Sequence, residues 1–262
     1  MIDVATKIIV ATHKKADMPE DSMYLPLLVG ADVNASVAGY TPDNTGENIS
    51  SLNPMYCELT GLYWAWKNLE ADNIGLVHYR RLFKGKDGQA ISSAEVGTIL
   101  SGYKVILPKK RRYYIETLYS HYVHTHNNEE IDETAKVIET FYPDYKDSYD
   151  KIMKQTWGYM FNMMVLPKSM LDDYCTWLFD ILAKVVDKVG EGDRSAFEKR
   201  YPGRLGELLF NCWLDHQSKA GDISKSDIIE VPLLNLGDEK FMKKLIAFLR
   251  AKFFGKKQDK SF

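Results

Sequence analysis

The sequence predicts an α/β fold in which helices flank a mainly parallel sheet. Short β-branched runs alternate with amphipathic helical patterns along most of the 262 residues, which is the order that such folds require. The strand at 74–79 begins with a run that is apolar on both faces, as buried parallel strands are. The length and a hydrophobic content of 45% fit one large globular domain. We assign residues 1–236 to this domain and residues 237–262 to a basic tail.

The first elements are two strands and a loop. "KIIVAT" at 7–12 is a β-branched run that predicts the first strand. "YLPLLVG" at 24–30 predicts a second strand, and Pro26 places it towards a sheet edge because proline cannot donate to a neighbouring strand. Turn-forming residues fill 43–53 and predict a loop.

A long helix is expected after this loop. Asn53 is expected to cap it, and Pro54 suits its first position. Apolar residues then recur every three or four positions, which places them on one helix face. They are Met55, Leu59, Leu62, Trp66 and Leu69.

Helices and strands continue to alternate in the second half of the chain. Ser92 and Glu95 form a capping box that starts a helix, and Gly102 ends it. Further strands are expected at 103–108 and 159–167. Further helices are expected at 132–156 (in two pieces broken near Pro143), at 169–190 (capped by Ser169 and ended by Gly190) and at 205–217.

Composition argues against several classes of protein. The net charge of −2 gives no general attraction to nucleic acid. Cys57, Cys175 and Cys212 are far apart and form no C-x-x-C, which argues against a disulfide framework or a zinc knuckle and favours a reducing cytosol. The N-terminal apolar run is too short for a signal peptide, and no stretch reaches the ~18 apolar residues of a membrane span. We therefore expect a cytoplasmic protein.

The tail carries a charge opposite to that of the rest of the chain. Residues 240–262 contain eight basic residues and one acidic residue, a net charge of +7, so the remainder carries −9. Apolar positions four apart, with lysines between them, are typical of a helix lying in a membrane interface. We expect peripheral attachment to the inner face of the plasma membrane, and a helix packed on its own domain is the alternative. The residues concerned are Phe241, Lys243, Lys244, Leu245, Leu249, Phe253 and Phe254.

The strand at 74–79 ends in charge, because His78, Tyr79, Arg80 and Arg81 follow its apolar run directly. Ligands of open α/β sheets bind beyond the carboxyl ends of strands, and two adjacent guanidiniums suit a phosphate or diphosphate. Alternation along a strand predicts His78 and Arg80 on one face, with Tyr79 and Arg81 on the other. A charged pair that merely ends a strand is the competing interpretation.

Two other segments supply polar groups at comparable places. Thr12, His13 and Lys14 follow the first strand, where they either hold a base or ribose or form a solvated turn. Asn48 and Asn53 precede the N-terminus of the expected helix, a position that favours anions. Capping alone also explains Asn53.

Two carboxylates are candidates for the same site. Glu58 lies just inside the helix that follows Asn53, where it either serves a ligand or complements the helix dipole. Glu207 lies off the apolar side of the helix at 205–217, close to its start. There it either acts as general base on a sugar hydroxyl or remains a solvated acid.

Three histidines follow one another at His121, His124 and His126. Their spacing resembles that of metal ligands, but no helix or strand brings all three to one face, so we assign no metal to them. A hydrogen-bonding role on the acceptor side is the preferred interpretation for His121 and His124, together with Asn162.

Long motifs in this sequence resemble those of a known family. "IIVATHK", "GENISSLNPMYCELTGLYWAWKN" and "IGLVHYRRLF", in that order, resemble bacterial capsular and exopolysaccharide glycosyltransferases long described as a domain of unknown function. "VILPKKRRYY", "MFNMMVLPKSMLDDYCTWLFDIL" and "GRLGELLFNCWL" extend the resemblance over residues 6–215.

The resemblance implies a GT-A-like glycosyltransferase with a single Rossmann-type domain and a nucleoside-diphosphate sugar as donor. UDP-galactofuranose is one candidate. Many GT-A enzymes hold a divalent metal (Mn or Mg) with Asp-x-Asp, and this sequence contains no such motif. We therefore predict that Arg80 and Arg81 neutralise the leaving diphosphate and that no metal is obligatory.

The predicted reaction moves a hexosyl unit from a UDP-sugar to a saccharide acceptor, expected on a lipid carrier, in capsular, exopolysaccharide or cell-surface glycan synthesis. Glu207 is the expected base, and His78, Arg80 and Arg81 are the other expected catalytic residues. The residues expected to bind the donor are Thr12, His13, Lys14, Asn48, Asn53, Glu58 and Tyr79. Two alternatives remain, a non-catalytic glycan-binding or scaffold protein of a polysaccharide assembly complex and a metal-using phosphodiesterase.

Overall fold

The structure is a computed structural model, and it describes residues 5–236. The expected tail helix, with its membrane-facing residues from Phe241 to Phe254, lies outside the described residues. The strands are β1 (Thr6–Thr12), β2 (Tyr24–Leu28), β3 (Thr41–Pro42), β4 (Asn73–His78), β5 (Arg81–Phe83), β6 (Val105–Pro108), β7 (Arg111–Arg112), β8 (Trp157–Gly158), β9 (Met164–Pro167), β10 (Ile228–Val231) and β11 (Leu233–Asn235). The α-helices are α1 (Asn53–Tyr56), α2 (Leu59–Asn68), α3 (Ser93–Leu100), α4 (Leu118–Thr125), α5 (Asn128–Phe141), α6 (Lys146–Met153), α7 (Lys168–Val189) and α8 (Tyr201–Ala220).

The central sheet has the order β10-β6-β9-β4-β1-β2-β3 within the described residues, and β5 joins β4 to β11 at one side. The pairs β1–β2, β1–β4, β2–β3 and β10–β6 are parallel. Strand β9 runs antiparallel to both of its neighbours, β4 and β6. The predicted α/β fold with a mainly parallel sheet is therefore confirmed, with β9 as a reversed strand in its middle.

Both faces of the sheet are covered, as the apolar strands require. Side chains alternate along β1, so that Ile9 and Ala11 join one core cluster and Ile8 and Val10 join the other. The first cluster contains the buried sides of α2, α7 and α8, and the second contains Val96 of α3. None of the described helices is long and apolar enough to cross a membrane.

The helix expected from Asn53 to Leu69 is broken. Helix α1 ends at Tyr56. The next residue, Cys57, has a φ of 54°, and α2 starts at Leu59. Asn53 is not the cap, because it lies inside α1 and its Nδ2 donates to the carbonyl oxygen of Cys57 at 2.7 Å. The apolar stripe survives the break, since Met55 and Leu59 are both buried.

The ends of other helices and strands show where the sequence pattern was enough to predict a boundary. The capping box of Ser92 is present at the start of α3. Helix α7 begins one residue before Ser169, which therefore does not cap it, and ends at Gly190 as expected. The strand expected at 159–167 is confined to β9, because the chain turns at 161–162 before the strand begins.

Candidate active site

The carboxyl ends of β1, β4 and β6 lie at one edge of the sheet, and so does the amino end of β9, because β9 alone among these strands is reversed. We call this the carboxyl edge. It consists of residues 12–14, 78–81, 109–113 and 161–162. Such an edge is where α/β sheets bind their ligands.

After β4 the chain turns at Tyr79 and Arg80, and His78 pairs with Arg81 across the junction of β4 and β5. The expected alternation of these four side chains along one strand is therefore wrong. The guanidinium carbon of Arg80 lies 5.0 Å from the ring centroid of Tyr79, whereas that of Arg81 lies 4.3 Å from the ring of Phe161. The two guanidiniums thus pack on different aromatic rings at the carboxyl edge.

His78 connects this turn to the one before β9. Its Nε2 lies 2.6 Å from the carbonyl oxygen of Phe161. A carbonyl oxygen only accepts hydrogen bonds, so Nε2 must carry the proton. His78 therefore holds the Phe161 backbone in place, and this nitrogen is not a base.

The segment after β1 lies beside Tyr79. Thr12 is buried, and its hydroxyl donates to the Lys14 carbonyl oxygen at 2.6 Å, which fixes the turn. The His13 ring lies edge-on to the Tyr79 ring with centroids 5.6 Å apart, and Nζ of Lys14 lies 5.8 Å from the same ring. The structure thus brings this turn and Tyr79 together.

His13 is surrounded by positive charge. Its pKa is lowered by burial and then by the charges of Lys14, Arg80 and Arg200. The pKa of an ordinary histidine already lies just below 7. Because the pKa of His13 is lowered further, its imidazole is neutral at pH 7. An anion at this position would meet several cations at once.

The turn at Phe161 and Asn162 has an unfavourable backbone. Both residues have positive φ, 75° and 51°, a conformation that costs on the order of 1 kcal/mol or more for a residue with a side chain. Side-chain hydrogen bonds hold it, since Nδ2 of Asn162 donates to Glu58 Oε1 at 2.7 Å and to the Gly203 carbonyl oxygen at 3.0 Å. Strain of this kind often marks a functional site.

Asn211, in α8, fixes the residues before this turn. Its Oδ1 accepts the Tyr159 N–H at 2.8 Å, and its Nδ2 donates to the Tyr159 carbonyl oxygen at 2.9 Å. The same Nδ2 donates to the carbonyl oxygen of Glu207 at 2.7 Å. Helix α8 and the segment before β9 are therefore joined at the level of Glu207.

Glu207 is partly buried beside the turn. Burial raises its pKa to about 7, and the charge of Glu58 acts in the same direction. A hydrogen bond from the Phe161 backbone and the charges of Arg111 and Arg81 oppose this. A carboxylate whose pKa is about 7 can accept a proton near neutral pH, which is what a general base requires.

Two glycines let α8 approach this closely. A Cβ on Gly206 would lie 2.9 Å from Leu59 Cδ1 and 3.1 Å from Asn162 Oδ1. A Cβ on Gly203 would lie 3.2 Å from Cys57 Sγ. The start of α8 is thus packed against both the helix break and the strained turn.

A protein family and a solved structure match this chain. A family model described as "Domain of unknown function (DUF4422)" matches residues 7–218, which is most of the chain. The chain belongs to this family. The apo structure of the bifunctional glycosyltransferase WbbM is similar, with a TM-score of 0.82 and 28% sequence identity. These matches confirm the GT-A-like fold and the glycosyltransferase-like family expected from the motifs.

The similarity to WbbM covers 90% of this DUF4422 chain and 46% of that one. The chain therefore spans about half the length of the solved structure that it matches. The comparison with curated proteins gave no match.

Arg111 and Arg200 join the site of this DUF4422 chain, although the sequence analysis did not select them. Arg111 follows β6 at the carboxyl edge, so the rule that selected Arg80 and Arg81 also applies to it. Nε of Arg200 donates to Sγ of Cys57 at 3.0 Å, and the charge of Arg200 reaches His13. Only the fold brings Arg200 here.

The polar residues expected before the helix separate in the structure. Glu58 reaches the carboxyl edge through Asn162. The amide of Asn53 is used inside the helix break, where it also donates to Thr60 Oγ1 at 3.1 Å. Asn48 bonds within its own loop, and the structure does not bring it to His78–Arg81.

A buried carboxylate, Asp43, was missed because its sequence context looked like an ordinary turn. It is fully buried and accepts the N–H groups of Gly30 at 2.8 Å and Ala31 at 2.9 Å. It also accepts the hydroxyls of Ser50 and, at 2.7 Å, of Thr60. Asp43 therefore ties the loop after β2 to the start of α2.

The three histidines in and directly after α4 do not meet at one point. Nδ1 of His121 lies 2.8 Å and Nδ1 of His124 lies 3.2 Å from the two carboxylate oxygens of Glu116. The His121 ring packs on Tyr113 with centroids 4.2 Å apart, whereas burial lowers the pKa of His126 to about 3. His121 thus approaches the edge through Tyr113, and His124 is exposed.

The divalent metal of many GT-A-like enzymes does not fit the side chains found here. Between residues 5 and 236 there is no group of three or more His, Cys, Asp or Glu that could hold a metal ion. At the carboxyl edge, Glu58 is bonded to Asn162 and Glu207 to the Phe161 backbone. The cations around them suit an anionic ligand.

Proposed function

We propose that this chain is a hexosyltransferase that uses a UDP-sugar, with galactofuranose as one candidate sugar. The acceptor would be a saccharide, carried on a lipid, in the synthesis of a capsular or other cell-surface polysaccharide. The observation that carries the proposal is the combination at the carboxyl edge of Glu207, whose pKa is about 7, with the guanidiniums of Arg81 and Arg111. The similarity to a glycosyltransferase structure supports it.

The donor would lie along the cationic side of the edge. Arg80 and Arg81 would bind the diphosphate, because guanidiniums match phosphate oxygens in charge and geometry. Arg80 packs on Tyr79, and His13 and Lys14 pack on the same ring. The Thr12–Lys14 turn and Tyr79 would therefore contact the nucleoside.

The reaction would be a single displacement. Glu207 takes the proton of the acceptor hydroxyl, whose oxygen forms a bond to the anomeric carbon of the donor. The bond from that carbon to the diphosphate oxygen breaks, and UDP leaves with the electron pair. Arg80 and Arg81 stabilise the negative charge that develops on the leaving group. One displacement inverts the configuration at the anomeric carbon.

Thermal-shift measurements with nucleotides, nucleotide sugars and free glycans test this function. We expect UDP and a UDP-sugar to stabilise the chain, and to do so in EDTA as well. Arg80→Ala/Arg81→Ala should remove most of the UDP shift, because two charge-assisted contacts are lost. Lys136→Ala is the control, since Lys136 is an exposed cation that pairs with Glu133 on α5.

Three results would contradict the proposal. An unchanged UDP shift in the double variant would remove the assigned role of the arginines. Stabilisation by glycans without nucleotides would favour the scaffold alternative. Loss of transfer activity in EDTA, with recovery in manganese, would show that the guanidiniums do not replace a metal.

Attachment to the inner face of the plasma membrane is part of the proposal. The support for it is the net charge of +7 and the amphipathic spacing in residues 240–262. Each basic residue near an anionic surface contributes ~1 kcal/mol, so the tail has enough charge for reversible attachment.

A further inference from the structure

The loop at residues 109–115 exposes apolar side chains that the proposed reaction does not use. Tyr114 is 80% and Ile115 is 79% exposed, more than any other large apolar residue between residues 5 and 236. Val33 and Phe141, the latter on α5, follow at 53% each. Two adjacent apolar residues exposed to this degree indicate a surface that contacts something else.

The stem of this loop is fixed. Arg111 pairs with Gly158 and Arg112 with Trp157 in the small sheet of β7 and β8. The Tyr113 N–H donates to the Thr156 carbonyl oxygen at 2.8 Å. The tip is therefore presented from an ordered base.

The tip itself is a tight reversal. The Ile115 N–H donates to the carbonyl oxygen of Tyr113 at 2.7 Å, which makes a turn of three residues. Tyr114, at its centre, has a φ of +60°, a conformation that is rare for an aromatic residue. The reversal leaves the side chains of Tyr114 and Ile115 in solvent.

Positive charge surrounds the tip. Lys109, Arg111 and Arg112 are exposed on its stem, and Lys110 pairs with Glu230 at 3.0 Å. Tyrosine at the head-group level, an aliphatic side chain below it and basic residues around them are the features of protein segments that bind anionic bilayers. A glycan would stack on Tyr114, but it would have no use for Ile115 or for the cations.

We propose that the tip of the 109–115 loop, Tyr114 and Ile115, inserts into the interface of an anionic membrane while the basic stem contacts the lipid head groups. This extends the proposed function, because it names the surface that would carry the site to an acceptor held in the bilayer. The stem is next to that site, since the charge of Arg111 lowers the pKa of Glu207. Membrane contact is measured without activity, so the two proposals fail separately.

Co-sedimentation of the full chain with phosphatidylglycerol-containing vesicles is the first test. Tyr114→Ser/Ile115→Ser should raise the lipid concentration for half-binding about fivefold or more, since its apolar area no longer enters the interface. Phe141→Ser is the matched control and should bind as the parent does. Lys109→Ala/Arg112→Ala should weaken binding about fivefold per charge on phosphatidylglycerol and have little effect on pure phosphatidylcholine.

Quenching by brominated lipids then separates the loop from the tail. Tyr114→Trp should add a tryptophan signal that these lipids quench, above the background of the five native tryptophans. Phe141→Trp should add a signal that they do not quench. The proposal is overturned if the parent chain does not bind vesicles, or if it binds them while the tryptophan at position 114 is not quenched. It is also overturned if Tyr114→Ser/Ile115→Ser leaves binding unchanged and raises only the KM for a saccharide acceptor.

Discussion

At the scale of single residues, the raised pKa of Glu207 links activity to stability. Its pKa of about 7 in the folded chain compares with an ordinary value of 4.5. Between these two values the folded chain holds a proton that the unfolded chain has released. The free energy of unfolding therefore falls as pH rises through this window, and above pH 7 the folded chain carries the full cost of the buried charge.

Glu207→Gln should consequently separate the two effects. Above pH 7 the variant should unfold at a higher temperature than the parent, and below pH 4.5 the difference should disappear because both side chains are then neutral. Transfer should fall by about 10²–10⁴-fold, the usual contribution of a general base, while UDP still binds. Thermal unfolding against pH and a transfer assay measure these outcomes. Glu139→Gln, at an exposed position of α5, is the control, and a Glu207→Gln chain that keeps full activity would remove the assigned base.

Glu58 should set the pH at which Glu207 works. Its charge raises the pKa of Glu207, so Glu58→Gln should lower that pKa. The acidic limb of the kcat/KM profile should then move to lower pH. Asn162 can still donate to the new amide oxygen, which preserves the turn.

Glu47→Gln is the matched control for this shift. Glu47 also faces α2, but its Oε1 bonds to the Tyr63 hydroxyl at 2.9 Å, away from the carboxyl edge. Its pH profile should equal that of the parent. A movement of the Glu58→Gln limb to higher pH would show that the two carboxylates are not coupled as the structure indicates.

At the scale of elements, hydrophobic period and caps predicted what is local. The β-branched run gave β1, and Ser92 with Glu95 gave the start of α3. The break between α1 and α2 was not predictable in this way, because the apolar stripe continues through Cys57. Contact with Gly203 at the start of α8 accompanies that break, and this contact is distant in sequence.

The candidate site was likewise predictable from sequence where its residues follow strand ends, and not where they are brought in by contacts distant in sequence. The end of β4 marked Arg80 and Arg81, since a parallel sheet collects its strand ends. The reversal of β9 places the Phe161 and Asn162 turn at the same edge, and no periodicity in the sequence shows that direction. The connection from Asn162 to Glu58 therefore appears only in the fold.

Substitution of two helical glycines by alanine should have opposite effects on stability, because Gly206 of α8 packs closely against α2 whereas Gly97 of α3 faces open space. Gly206→Ala places a methyl group 2.9 Å from Leu59 Cδ1 and 3.1 Å from Asn162 Oδ1, so we expect a loss of about 1–3 kcal/mol of stability and a lower kcat/KM. Gly97→Ala, in the interior of α3, meets nothing within 4 Å and should gain about 0.5–1 kcal/mol with unchanged activity. Urea unfolding and a transfer assay compare them. Equal stabilisation by both substitutions would show that α8 has room at Gly206.

At the scale of the whole molecule, the candidate site, the 109–115 loop and the end of the described chain all lie at the carboxyl edge. The Leu236 N–H donates to the Arg80 carbonyl oxygen at 2.9 Å, so the described chain ends beside the site. The 109–115 loop rises from the same edge through Arg111. The candidate site, the basic loop and Leu236 therefore lie on one side of the described chain, which is the side that the proposed membrane contact would use.

Removal of residues 237–262 tests the contribution of the tail. The deletion takes away a segment whose residues from 240 onwards carry +7, so co-sedimentation with anionic vesicles should fall sharply and the remaining binding should depend on Tyr114 and Ile115. UDP binding should be unchanged, because the proposed donor residues lie before residue 237.

A second variant that replaces Phe241, Leu245, Leu249 and Phe253 by serine keeps every charge. It should bind more weakly than the parent, and its binding should be lost at lower salt, since screened charge alone then holds it. Unchanged sedimentation of the deletion would mean that the tail packs on its own domain and that the membrane contact lies elsewhere.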